Sequence, residues 1–374
     1  MRQVKDSDVL LAGLPGALRW QPVVTSWAAD GSLLADNIPV SRGSITVDMT
    51  TDTLRSLSLV VPRSLGFEWS PRGNPAHPLA CCGQRLDVAV IVSIDSIGKS
   101  WRIQQGRFLI TSWEDTISTV TVTGTGLLQL AKDSTVATVM QPAAGDTFGS
   151  FARRICPAGL AVEIDPGLVD RAVPGSAVSN AGRLDALTEL AAAWPSVLLD
   201  NDYGQALYVP PLPDIPVPVL SFTDGQRGTV VTAPSLDQRD GRYNMVRARS
   251  SAAGFENVYA EASQTSGPYS VATYGQVVQE YSTPLCTTVT QLTACAKSVL
   301  SRSVVTPQPV TVTAASNPLV QVADPVSVNY DGVTVTGYVT ACTMPLTYAD
   351  GDMTLTVGTA SSVADVDASD GGDL

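Results

Sequence analysis

Hydrophobic and polar positions along this chain change period most clearly in the stretch Ala181–Pro210. There Leu184, Leu187, Leu190, Ala191 and Trp194 recur at three- and four-residue spacing, which places them on one face of a helix spanning Arg183–Trp194, and Pro195 ends it. A hairpin is expected next: Ser196–Asp200, a bend at Asn201-Asp202-Tyr203-Gly204, and Gln205–Val209. Both flanks read as strands. Gly43–Met49 and Leu57–Val61 alternate around a turn at Thr51-Asp52. Pro62–Gly83 carries four prolines and reads as a long loop. Leu86, Val88, Val90, Val92 and Ile94 are the cleanest period-two run, and with Trp101–Trp113 and Ile117–Thr123 they predict a three-strand meander.

The same order of strand, turn, long strand, turn and strand returns in Pro325–Tyr330, Val333–Leu346 and Met353–Val357. This predicts two related barrel-like β domains, an expectation that unrelated strand orders would sink. Between them, Asp146 is read as the N-cap of a short helix with Phe148, Phe151 and Ile155, and the prolines from Pro210 to Pro218 as an extended connector. A further helix is expected near Thr288–Leu300. Met1–Trp20, interrupted by Gly13, Pro15 and Gly16, reads as a loose arm, and Ser361–Leu374 as a disordered acidic tail. The fold class is therefore mainly β with an α+β middle domain. Its expected parts are an N-terminal arm and first barrel-like domain (1–134), a small α/β domain (135–222), a second barrel-like domain with a helical insertion (223–360), and the tail (361–374).

Composition narrows the function. A chain of 374 residues, 44% of them hydrophobic, fills two or three cores. The net charge of −12 repels a phosphate backbone, so specific nucleic-acid binding is not expected. The N-terminus, with Asp6 and Asp8 before the short run Val9–Leu14, does not resemble a signal peptide, and no stretch approaches the ~20 apolar residues of a membrane helix, so the chain is expected to be made and kept in a cytosol.

Candidate chemistry is sparse. His77 is the only histidine, which excludes H-E-x-x-H zinc chemistry, and no G-x-S-x-G surrounds a serine; a lone loop histidine is expected to be solvated. The six cysteines are scattered and are expected to be free core thiols, with a Cys81 or Cys82 pairing to His77 as the sharper alternative. Gly124-Thr125-Gly126 lacks the third glycine of a dinucleotide site and reads as a turn. Asp365–Gly371 resembles a calcium loop only superficially, because its glycine falls one position late. Nothing marks any of the seven glutamates for glycoside hydrolysis. Trp101, Phe108 and Trp113 are read as core or domain contacts rather than a sugar platform. No catalytic, cofactor-binding or metal-ligating residue is assigned, and no cofactor is expected.

The blocks SRGSITVDMTTDTLRSLSLVV, GRFLITSWED with VTVTGTGLLQL, DGRYNMVRAR, YGQVVQEYSTP and SNPLVQVADPVSVNYDGVTVTGYVTACTMPL, in that order, resemble actinobacteriophage minor tail proteins of the baseplate-hub (tail-tip hub) family. The resemblance covers roughly Arg42 to Val357; Thr125 departs from it, standing where an acidic residue is expected. It implies a structural, non-enzymatic virion protein assembled in the host cytoplasm. Three copies would form a ring closing the distal end of a siphovirus tail tube, with duplicated barrels matching six-fold tube to three-fold tip. Its implied partners are itself, a distal tail or tube protein, and tail fibre or spike proteins, with DNA passing through without specific binding. An acidic wall suits such passage. The alternatives are a tail-associated cell-wall hydrolase and a carbohydrate-binding β module for host attachment.

Overall fold

The computed structural model describes residues 1–16, 18–64, 66–135, 140–173, 182–194, 196–213, 215–233, 243–250, 257–266, 269–283, 288–290, 292–293, 296–297, 300 and 309–358. They form two compact units, one of Met1–Ala233 with Thr311–Val357 and the other of Pro234–Val310.

The first unit begins with a helix, α1 (Ser7–Gly13), not a loose arm. Leu10 is fully buried, the Trp101 indole donates to the Lys5 carbonyl at 2.7 Å, and Lys99 pairs with Asp6 at 2.8 Å. These contacts to a distant strand hold the segment down, and local sequence carries no sign of them. Strands β1 (Arg19–Trp27), β2 (Leu33–Ala35), β3 (Arg42–Asp48), β4 (Arg55–Pro62), β5 (Arg85–Ile94), β6 (Lys99–Asp115) and β7 (Thr119–Gly126) follow. Alternation decides their faces: in β4 Leu57, Leu59 and Val61 are buried, and in β5 Leu86, Val88, Val90 and Val92. The predicted meander is present, with the first part of β6 paired to β5 and its last part to β7.

Gly124 and Gly126 lie inside β7 and make no turn. A Cβ on Gly124 would stand 2.9 Å from the Leu109 carbonyl oxygen, and one on Gly126 would overlap the Asp200 carboxylate. Close approach of neighbours, not a bend, explains both glycines. Thr125, between them, buries a hydroxyl that has no hydrogen-bond partner.

The α+β unit comprises α2 (Gln129–Lys132), α3 (Phe148–Ile155), β8 (Val162–Ile164), α4 (Arg183–Ala193), β9 (Val197–Asp200) and β10 (Ala206–Val209). Thr147, one residue after the expected Asp146, caps α3: its hydroxyl accepts from Ser150 N at 3.2 Å while Thr147 N donates back to Ser150 Oγ at 2.9 Å. Strand β10 pairs antiparallel with β9 and parallel with β8. Leu184, Leu187, Leu190, Ala191 and Trp194 pack into one core with Phe148, Phe151, Ile155 and Tyr208, and the same core takes in Leu54 and Leu109 of the β-rich block before it. Trp194 stacks on Phe148 at 5.5 Å, and the buried Tyr208 hydroxyl donates to the Leu187 carbonyl at 3.0 Å.

The chain continues through β11 (Leu220–Thr223) and β12 (Val230–Thr232). In the second unit, β13 (Met245–Ser250), β14 (Tyr259–Ser263), the short helix α5 (Val271–Tyr274) and β15 (Val278–Thr283) give a three-stranded sheet in the order β14-β13-β15. The described positions of the helix expected near Thr288–Leu300 are helical from 289 onward, and Leu292, Ala296 and Leu300 cover Val246, Ala248, Ala260 and Ala262.

Strands β16 (Val310–Ala314), β17 (Pro325–Tyr330), β18 (Val333–Pro345) and β19 (Met353–Gly358) follow, and their residues from Thr311 to Val357 complete the first unit. Asp331 and Gly332, both at positive φ, turn β17 into β18. β17, β18 and β19 again form a meander around a long middle strand. Among the described residues, thirteen strands share one sheet, whose main path is β12-β16-β19-β18-β3-β4-β7-β6-β5-β1-β2, with β17 pairing β18 and β11. The architecture is mainly β with an α+β unit between two β-rich blocks. The β3–β4 hairpin joins the two meanders, β3 pairing with β18 and β4 with β7. The acidic tail lies outside the described residues.

Candidate functional site

His77 is buried, not solvated: its Nδ1 accepts from Leu79 N at 3.1 Å, so the proton sits on Nε2, which donates to the Glu68 carbonyl at 3.0 Å. Phe67 stacks on its ring at 5.5 Å. The imidazole is the internal strut of the Pro62–Gly83 loop. Cys81 and Cys82 are exposed rather than in a core, whereas Cys342 is buried and Cys156 half-buried; burial pushes the last two thiols up to about 12. Cys286 and Cys295 lie outside the described residues. Trp101 and Phe108 are core residues, as expected, and Trp113 is half-buried. Among the described residues, no group of three or more His, Cys, Asp or Glu side chains is placed to hold a metal ion, and no helix is long and apolar enough to cross a membrane.

Among the described residues, polar side chains gather instead in a buried ionic node that joins five separated stretches. Arg55 enters from β4 on the same face as Leu57 and Leu59, so the strand carries a cation into its apolar side. Its Nη1 donates to Gln105 O at 2.8 Å and to Asp202 Oδ1 at 3.0 Å, and its Nη2 to Asp200 O at 2.6 Å. Arg2 reaches Asp202 from the N-terminal segment with a two-bond fork, both at 2.8 Å, and also donates to the carbonyls of Pro318 and Val320. Gln321 Nε2 adds a third donor to Asp202 at 3.2 Å, and the Met1 ammonium pairs with Asp324. Burial would raise the Asp202 carboxyl, but Arg2 and Arg55 outweigh it and hold Asp202 below the usual carboxylate range.

Asp200 is the exception. It is 4% exposed, neither carboxylate oxygen has a hydrogen-bond partner, and Arg55 Nε stands 3.9 Å away, itself unpartnered. Burial, only partly offset by Arg55, pushes its carboxyl up to about 7. The cavity beside Arg2, Arg55, Gln105 and Gln321 has a volume of about 10 Å³, room for one water and no substrate. The node fastens together the stretches that it joins. Sequence reasoning passed over all its members; the available signal was an arginine in the apolar phase of a strand.

Among the described residues, sheet edges offer surfaces to a partner: strands β2 and β12 end the main path of the sheet, and β11 pairs with β17 alone. An open edge presents N–H and C=O groups to another strand. Leu33 of β2 and Val231 of β12 are each more than half exposed there.

No family model and no curated protein matches the chain. Solved structures do. The 43 kDa tail protein of prophage MuSo2 from Shewanella oneidensis superposes with a TM-score of 0.58 at 13% identity, covering 90% of this chain and 98% of that one. A tail protein from Neisseria meningitidis gives 0.58 at 15% identity, covering 93% and 99%. A prophage tail protein from Listeria monocytogenes gives 0.51 at 11%, covering 92% and 97%. The fold is therefore one found in phage tail proteins.

Proposed function

We propose that this chain is a structural, non-enzymatic component of a phage tail tip, a baseplate-hub protein. The observation that carries the reading is the near full-length likeness to phage tail proteins. In the proposal three copies close a ring at the distal end of the tail tube, the two meander-based blocks of each copy supply six similar modules, and tip fibres or spikes attach to the ring. The division at 1–134, 135–222 and 223–360 belongs to the same proposal, as does the assignment to minor tail proteins of non-contractile actinobacteriophage tails, which rests on the sequence blocks between Arg42 and Val357.

Three features support it. Both meanders share one strand order and are joined through β3 and β4. The edges at β2, β11 and β12 are left for neighbours, which assembly would bury. A net charge of −12 keeps a wall that DNA slides past from binding phosphate.

The test is the mass of the purified protein by light scattering, followed by electron microscopy, alone and mixed with tail-tube protein. A species near three times 39.1 kDa with a central hole is expected. A chain that stays monomeric with tube protein and binds host glycans would replace the reading with a carbohydrate-binding module, and cleavage of cell-wall polymer would replace it with a hydrolase.

A further inference from the structure

The ionic node contains an acid whose surroundings suit its neutral form. Arg2 and Arg55 face Asp202 and Asp200, and Asp202 takes the hydrogen bonds of both guanidiniums. Asp200 takes none. Its carboxylate lies against Gly126, where any Cβ would overlap it. The charged groups on the elements around it are few. Arg55 comes from β4 and Asp202 from its own hairpin; Arg2 acts through Asp202. β7 contributes Thr125 and Gly126, which carry no charge. Asp52 in the turn before β4 is exposed and paired with Lys132, and Arg107 of β6, against Gly204, is paired with Asp87.

We propose that Asp200 is a proton-operated latch: as a neutral acid it lets the β9–β10 hairpin seat on the sheet, and its ionisation unseats the hairpin and breaks the Arg2 fork on Asp202. The physical cause is hydration. An ionised carboxylate buried without hydrogen bonds gains solvent when the hairpin lifts, whereas the protonated acid gains far less. The linkage has a definite sign. The seated state holds its proton up to about pH 7, while an open state releases it near the ordinary value of 3.8. Between these values seating binds a proton, so opening becomes easier as pH rises and levels off above about 7. The Arg2 fork on Asp202 is lost when the hairpin lifts, while Arg2 keeps its bonds to the Pro318 and Val320 carbonyls.

Hydrogen exchange read by mass spectrometry tests this on the full chain, after correction for the intrinsic pH dependence of exchange. Peptides covering 196–210 should show opening that increases about tenfold between pH 6 and pH 9, while β5 and β6 show no such change. Asp200→Asn, which mimics the neutral acid, should remove the dependence and stay as protected at pH 9 as at pH 6. Asp200→Ala, which removes the acid and leaves a gap, should be looser at both pH values and equally flat. A flat profile in the unaltered protein overturns the proposal, as does a dependence that survives in Asp200→Asn or extends equally to β5 and β6.

Discussion

Replacing Arg55 by methionine is the sharpest test of how this fold is held together. Methionine keeps much of the volume and the apolar stem but removes the guanidinium. Three hydrogen bonds are lost, to Gln105 O, Asp200 O and Asp202 Oδ1. Asp202 keeps Arg2 and Gln321, so the largest penalties fall on the two buried carbonyls, at about 1–3 kcal/mol each. Removing one partner of a buried ion pair costs about 3–5 kcal/mol in total, and we expect Arg55→Met to lie in that range. With a urea slope of about 3 kcal/mol per molar, the unfolding midpoint should fall by roughly 1–1.7 M. Urea titration followed by tryptophan emission reads this directly. Arg55→Lys, which keeps the charge but not the fork, should recover only part of the loss. A double-mutant cycle of Arg55→Met with Asp202→Asn should give a coupling of about 1–3 kcal/mol. If Arg55→Met shifts stability by less than about 1 kcal/mol, the node is not a fastening and the reasoning fails.

Other outcomes follow from the same structure. His77→Ala removes an acceptor for Leu79 N and a donor to Glu68 O, and should cost about 1–3 kcal/mol while opening the Pro62–Gly83 loop to limited proteolysis; unchanged cleavage there would refute the strut role. Gly126→Ala should destabilise the protein by about 1–3 kcal/mol, because its Cβ would overlap Asp200 and press on Thr53 O and the Arg55 Cβ, and the melting temperature reads it. Peptide-mapped maleimide labelling at pH 8 should modify Cys81 and Cys82 within minutes and leave Cys342 untouched until the protein is unfolded, since burial pushes Cys342 up to about 12; rapid labelling of Cys342 would contradict its burial.

What sequence alone determined here is whatever short-range periodicity encodes. Alternation over Leu86–Ile94 fixes which face of β5 is buried, and the three- and four-residue spacing from Leu184 to Trp194 fixes the buried stripe of α4, because strand and helix each repeat within a few residues. The turn at Asp331-Gly332 was legible for the same reason. Tertiary structure decided what depends on partners far along the chain. Met1–Trp20 looks loose by composition, yet α1 is held by Trp101 and Lys99. Gly124 and Gly126 look like a turn, yet they are glycines because Leu109 and Asp200 crowd a strand. His77 and the cysteines carry no local mark of burial. The join between the two β-rich blocks rests on β3 meeting β18, with Thr46 opposite Thr343. Asp200 and Asp202 look alike in a polar hairpin turn. Only the fold gives the carboxylate of one the hydrogen bonds of two arginines and leaves the carboxylate of the other without any, because charge and burial at a site are set by what packs against it, not by its neighbours in sequence.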